Sequence, residues 1–340
     1  MSNTPVTVPV LDLARFDAGP ADRAAFLAEL RTAAHELGGF YLAGHGVDPA
    51  LIEQLHGLSR RFFDLPEAEK QAIEMVHSPH FRGYTRVGWE RTRGLSDWRE
   101  QIDVGSERPV LAIDNDAPAW RRLQGPNQWP AALPELRQPL LRLQAELTAV
   151  SLKLAQVLAV ALGQPEDAFA PLFDDSPSQL IKLIRYPGRE AEDGRQGVGP
   201  HKDSGFLTFV LQTDQSGLQV ETADGWVDLP PIPGTFVVNV SEQLELATDG
   251  YLRANVHQVL SPPANTDRLS IAFFLGARLD TRIPVLPLPA ELAAKARGVE
   301  RDPTNPLYPD VGENTLKGRL RSHPDVAQRH YADLLAAKAG

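Results

Sequence analysis

The chain has 340 residues and no cysteine. That absence excludes disulfides, thiolate zinc sites, iron-sulfur clusters and cysteine nucleophiles together, so any transition metal must be held by histidine and carboxylate. Long apolar runs are missing as well. Met1 to Val10 has neither the basic nor the extended apolar part of an export signal, and no later segment approaches a bilayer-spanning length, which gives the expectation of a cytoplasmic protein without a membrane partner. Positive charge is in deficit: Lys and Arg number 34 against 44 Asp and Glu, a formal net charge of -10. Such a field repels polyanions and argues against nucleic acid as a partner, although a local basic pocket for a small acid remains compatible with it. What is present, 42% apolar and 23% charged residues, suits a soluble globular protein with a sizeable core. The expectation is one large domain or two closely packed pieces, a monomer or weak homo-oligomer acting on a small molecule.

Helical signals come first along the chain. After an extended segment at Val8 to Leu13, apolar Phe26, Leu27, Leu30, Ala33, Ala34 and Leu37 share one face, and Gly38-Gly39 ends that helix. Phe40 to Ala43 reads as a strand, and Asp48-Pro49 as a cap with proline at the first helical position. Leu136, Leu140, Leu143, Leu147, Val150, Leu154, Leu158 and Ala161 predict the longest helix, closed by Gly163. Ser78 to Gly105 lacks periodicity and is rich in arginine and aromatics, so it is read as a long loop and candidate substrate lid, with Arg82, Tyr84, Arg86, Trp89 and Arg93 as candidate contacts. Beyond Gln179, short runs rich in β-branched and aromatic residues alternate with turns: Leu180 to Tyr186, Phe206 to Gln212, Leu218 to Glu221, Thr235 to Val240, Val256 to Leu260 and Leu269 to Gly276. They predict an antiparallel barrel or sandwich. A terminal helix is expected over Pro324 to Ala337.

The chemistry concentrates between Gly197 and Ser270. His201 and Asp203 are two apart after the turn-like Gly197-Val198-Gly199-Pro200, so an extended backbone would point both side chains the same way. With His257 they supply two imidazoles and one carboxylate, the facial set that leaves positions open on iron(II). The triplet alone is weak evidence, since His323-Pro324-Asp325 repeats it where a proline and an acid suit a helix start. Arg268 and Ser270, also two apart, can grip one carboxylate by a charge-assisted pair and a hydroxyl. His45, between Gly44 and Gly46, reads as a turn histidine, while His35, His56, His77, His80 and His330 lack ligand spacing.

In Gly199-Pro200-His201-Lys202-Asp203-Ser204-Gly205-Phe206, Ala247-Thr248-Asp249-Gly250, Val256-His257-Gln258-Val259 and Arg268-Leu269-Ser270-Ile271, the chain resembles the isopenicillin N synthase-like family of iron(II), 2-oxoglutarate-dependent oxygenases. Val8 to Leu13, Gly39-Phe40-Tyr41 and Gly44-His45-Gly46-Val47 extend the likeness to the amino-terminal part. The resemblance implies a mainly β fold, a double-stranded β-helix (jelly roll) core wrapped by helices, with a helical amino-terminal region over 1–130. A long backing helix over 131–178, a catalytic core over 179–282 and a carboxyl-terminal extension over 283–340 complete the expected division. It implies that His201, Asp203 and His257 bind Fe(II), that Arg268, Ser270 and the phenol of Tyr186 bind 2-oxoglutarate, and that dioxygen is consumed. Two positions depart from the family's commoner residues, Ile184 before the tyrosine and Gln258 after the third ligand. The implied activity is an oxidoreductase, a dioxygenase that hydroxylates a small metabolite and releases succinate and carbon dioxide. The alternatives are an oxidase or cyclase of the same fold that dispenses with 2-oxoglutarate, and a non-catalytic small-ligand sensor.

Overall fold

The structure is a computed structural model, and it describes residues 7–337 except 113, 115, 175, 191–193, 195, 301 and 304. Its amino-terminal part runs β1 (Val10–Asp12), α1 (Pro20–Glu36), β2 (Gly39–Ala43), α2 (Pro49–Phe63) and α3 (Glu67–Gln71). Asp48 caps α2 by accepting from the Ala50 amide at 2.9 Å, with Pro49 in the first turn, as its sequence predicts. α1 ends at Gly38, whose φ of 66° suits glycine and where a Cβ would stand 2.1 Å from the Arg253 carbonyl oxygen.

Ser78 to Gly105, expected to be a loop, contains β3 (Gly83–Thr85), the small hairpin of β4 (Arg91–Thr92) and β5 (Leu95–Ser96), and the fully buried β6 (Glu100–Gly105). The reading missed β6 because Glu100, Gln101 and Asp103 break the apolar alternation that marks a half-buried strand. α4 (Arg137–Ala161) follows. Pro134–Ala161 is 28 residues long and apolar enough by composition to cross a membrane, which corrects the expectation that no segment reaches that length. Here 61% of its most apolar window is buried inside the protein, against α1, α2 and the sheet.

The strands then come in succession: β7 (Ser178–Tyr186), β8 (Gln196–His201), β9 (Leu207–Gln212), β10 (Leu218–Thr222), β11 (Gly225–Asp228), β12 (Phe236–Val240), α5 (Glu242–Ala247), β13 (His257–Leu260) and β14 (Arg268–Gly276). β8 replaces the turn expected at 197–200. Its glycines are there for close approach: a Cβ at Gly197 would stand 2.8 Å from the Tyr186 ring. The chain closes with α6 (Ala290–Ala293), α7 (Val311–Ser322), α8 (Pro324–His330) and α9 (Ala332–Ala337), so the expected terminal helix is two, broken at Tyr331.

The large sheet has the order β1-β2-β12-β9-β14-β7-β6-β3 and the small sheet β11-β10-β13-β8. The amino-terminal region therefore contributes strands to the barrel sheet itself and is not separate from the core. Alternation along β14 divides two cores. Ile271, Phe273 and Leu275 pack outward with Leu140, Leu147 and Leu154 of α4, whereas Ala272 joins Ile184, Val198, Val210, Val220 and Val259 between the sheets. Each fully buried leucine or isoleucine contributes about 1.5–3 kcal/mol by leaving water, so α4 anchors the outer face of the large sheet while the inner face is left for a site.

Candidate active site between the sheets

His201 and His257 lie far apart in sequence but are direct register partners on β8 and β13. Adjacent antiparallel strands bring partner side chains to one face. Asp203 follows β8, and the donor atoms of His201, Asp203 and His257 all lie within 4.8 Å of one another. Each imidazole turns its Nε2 to a different carboxylate oxygen of Asp203, at 3.5 Å in both cases. That is long for a hydrogen bond, and Asp203 Oδ2 is buried without a hydrogen-bond partner. Three donors aimed at one point, one of them an orphaned carboxylate oxygen, fit a divalent cation.

The rings are held from behind. His201 Nδ1 lies 2.9 Å from the Gly199 carbonyl oxygen and His257 Nδ1 3.2 Å from Asn255 Oδ1. Both partners accept, so each Nδ1 carries the proton and each Nε2 keeps its lone pair. The Asn255 side-chain amide in turn donates to Asn239 Oδ1 at 2.9 Å. Burial pushes His257 down to about 4, partly opposed by Asp203, so its imidazole is neutral near neutral pH. Burial acts against charge on His201 too, but the neighbouring Asp203 carboxylate outweighs it and raises that residue. For Asp203 burial opposes ionisation, and the two histidines and Thr208 more than compensate, holding it well below the usual carboxylate range. Asn239 and Asn255 escaped the sequence reading, although a polar residue in the apolar run Phe236 to Val240 and an Asn two places before His257 were visible signals. Asn255→Ala is expected to cut metal affinity about 10- to 100-fold with the fold retained, as read by iron content after dialysis against a weak chelator.

Arg268 and Ser270 face the same interior. Arg268 is fully buried; its guanidinium donates to Gln212 Oε1 at 3.0 Å and Ser270 Oγ at 3.3 Å and lies 5.0 Å from the Tyr186 ring centre. Its Nε has no partner, and among the described residues no carboxylate pairs with it. Burial lowers its affinity for the proton, with Tyr186 offsetting part of that. A buried cation held only by neutral groups fits an incoming carboxylate. Ile184 stands in register with Ser270 and offers only hydrocarbon.

The expected lid contacts disperse. Tyr84 faces the opposite side of the sheet, edge-on to Phe62, and donates to Glu100 at 2.6 Å. Trp89 is 48% exposed beneath Arg86, Arg86 is paired with Glu74, and Arg93 occupies the β4–β5 turn at φ 50°. None of these four joins the metal cluster. Their place is taken by residues that the sequence reading passed over: Arg99, which donates to Glu90 at 2.8 Å and Asp97 at 3.3 Å, and Lys182, 3.0 Å from Glu90 and 3.6 Å from Asp103. Arg319 at the end of α7 reaches Asp103 at 2.9 Å, and His323 lies 3.5 Å from Glu90. Burial would protonate Glu90, but Arg99 and Lys182 hold it far below the usual carboxylate range. This ionic array ties β6 and β7 to α7 and to the segment that carries the β4–β5 hairpin. His323 belongs to it, and Asp325 sits in the first turn of α8, so the second His-x-Asp copy is structural as expected. His45 stacks on Phe236 in a turn flanked by left-handed Gly44 and Gly46.

Residues 8–132 match the family described as non-haem dioxygenase in morphine synthesis, N-terminal, and residues 177–277 match the 2OG-Fe(II) oxygenase superfamily. The chain is 36% identical to the 2-oxoglutarate-dependent dioxygenase frbJ of Dothideomycetidae sp., over 97% of this chain and 94% of that protein. It is 32% identical to a homoarginine-6-hydroxylase of Glycine max, covering 76% and 79%. Among solved structures, JOX2 in complex with 2OG, Fe and JA superposes with a TM-score of 0.71 at 25% identity, covering 95% of this chain and 88% of that one. The full-length Neurospora crassa T7H in complex with alpha-KG and 5-formyluracil shares the fold with a TM-score of 0.74 at 24% identity, covering 94% and 98%.

Proposed function

The chain belongs to the 2OG-Fe(II) oxygenase superfamily and is a 2-oxoglutarate-dependent dioxygenase acting on a small molecule, and on that premise we propose that it hydroxylates its substrate with His201, Asp203 and His257 as the iron(II) ligands. The observation that carries the assignment is the pairing, within one buried interior, of three converging donors with a buried guanidinium that has no carboxylate partner among the described residues. Iron(II), 2-oxoglutarate and dioxygen supply the oxidising power, with succinate and carbon dioxide as by-products.

The chain's own residues do the positioning. Arg268 and Ser270 bind the far carboxylate of 2-oxoglutarate, and the Tyr186 ring holds the guanidinium in place. Asn255 and the Gly199 carbonyl fix the tautomers that present Nε2 to the metal. The apolar residues Ile184, Val198, Val210 and Val259 exclude water from the space around it. Asp203 supplies the carboxylate ligand whose charge partly offsets that of the metal, and it occupies a position that a halide would need, which favours hydroxylation. The test is oxygen uptake and succinate release by iron-loaded protein over a panel of organic acids and amino acids, with and without 2-oxoglutarate. Succinate that requires the keto acid and is lost in His201→Ala is expected; oxygen uptake indifferent to the keto acid would overturn the reading in favour of an oxidase of the same fold.

A further inference from the structure

At the open end of the barrel, beside β6 and β7, lies a cleft of about 370 Å³ lined by Arg82, Arg108, Arg121 and Arg278, with Asp280 as its only acidic lining residue among the described residues. Four guanidinium groups around one cavity are notable in a chain of net charge -10, where the average field points the other way. Arg278 is neutralised by Asp174 at 2.7 Å and Asp280 at 3.0 Å. The other three have no carboxylate partner among the described residues: Arg82 donates to the His80 carbonyl at 2.7 Å, Arg108 to the Pro177 carbonyl at 3.5 Å, and nothing pairs with Arg121. Trp120 and Leu111 supply apolar wall.

The cleft meets the barrel interior at one point. A Cβ on Gly105 would stand 2.3 Å from the Arg82 guanidinium, so that group lies flat against β6 on the face to which Gln101 and Asp103 also point. From Gly105 the register runs across β7, β14 and β9 through Leu180, Phe274 and Thr208, and Thr208 is one of the groups that favour the ionised Asp203 carboxylate. Three strand spacings make this row about 14 Å long. Its two middle members, Leu180 and Phe274, are apolar and only half-buried, whereas Lys182 and Ala272 one step deeper are buried.

We propose that this arginine cleft is a substrate subsite for an anionic headgroup, and that the substrate is an amphipathic organic acid whose apolar stretch crosses Leu180 and Phe274 to bring a carbon remote from the charge to the metal. The inference rests on the metal centre proposed above as the reacting end. A carboxylate and a phosphate monoester share the recognising chemistry, since either is gripped by paired guanidinium groups. The apolar row sets a length requirement that a short acid cannot meet.

The test uses chelator-treated protein, so that its outcome is independent of the metal. Hexanoate, decanoate, tetradecanoate, decyl phosphate and uncharged decanol are titrated by calorimetry, with tryptophan fluorescence reporting on Trp120. Decanoate or decyl phosphate is expected to bind at least about tenfold more tightly than hexanoate and decanol, to weaken with added salt, and to lose about tenfold in Arg108→Ala/Arg121→Ala. Which of the two long anions binds more tightly identifies the headgroup. Neither replaced arginine leaves a carboxylate unpaired, so the variant should fold, and circular dichroism checks it. Equal binding of decanol and decanoate by the wild-type protein, or unchanged decanoate binding in the folded variant, would overturn the proposal and leave the metal assignment standing. Loss of the metal assignment, read as retained iron in His201→Ala, leaves this binding measurement intact.

Discussion

Asp203→Ala is expected to lower iron affinity, and with it 2-oxoglutarate-dependent succinate formation, by more than about a hundredfold, because residues that only orient a metal ligand already account for 10- to 100-fold. Asp203 is the one charged member of the cluster, and its two oxygens face both imidazoles at 3.5 Å. Removing it leaves two neutral nitrogens, a set without the anion that makes a hard divalent ion stay. The main chain should be unaffected, since the Asp203 carbonyl oxygen, which accepts from the Glu242 amide at 2.9 Å, is unchanged by the substitution. Iron per chain after anaerobic reconstitution and gel filtration, measured beside far-ultraviolet circular dichroism, decides the matter. Full iron occupancy in a folded Asp203→Ala protein would sink the assignment.

Arg268→Met carries an effect of similar size with an unusual sign. Losing one partner of a buried, hydrogen-bonded charge pair costs about 2–5 kcal/mol of binding, so the KM for 2-oxoglutarate is expected to rise from roughly 30-fold to several thousandfold. In the absence of the keto acid the same change removes a fully buried guanidinium that no carboxylate among the described residues neutralises. Replacing a buried charge with a similar apolar side chain is often neutral or stabilising. The melting temperature without 2-oxoglutarate should therefore hold or rise, while the increase that 2-oxoglutarate gives the wild-type protein disappears. A variant that melts far lower without the keto acid would mean that Arg268 is a structural cation satisfied by Gln212 and Ser270. Thermal unfolding with and without 2-oxoglutarate, beside initial rates, separates the two.

Residues whose role is set by near neighbours were legible before any coordinates. His201 with Asp203, and Arg268 with Ser270, are two apart, a spacing that an extended chain converts into a shared face. Asp48-Pro49 and the α4 stripe declared their helices for the same reason. Local pattern misleads where an interior position is polar. β6 carries Gln101 and Asp103 toward the barrel, where Asp103 meets Lys182 and Arg319, so its pattern resembled a loop. Tyr84, a candidate substrate contact by its neighbourhood in sequence, is turned away from the barrel interior by its pairing with Ile102.

The sequence by itself determined the ligand types, by excluding thiolate and supplying two imidazoles and a carboxylate, and it determined the long helices α1, α2 and α4 and most strands, because these follow from periods of a few residues. Tertiary structure decided which distant positions become neighbours. The β8–β13 register sets His257 beside His201, burial makes Arg268 a cation in need of an anion, and the barrel's open end gathers Arg82, Arg108, Arg121 and Arg278 from segments nearly 200 positions apart in the chain. Long-range contacts leave no local period, and a charge acquires its cost only when the surrounding side chains remove its water.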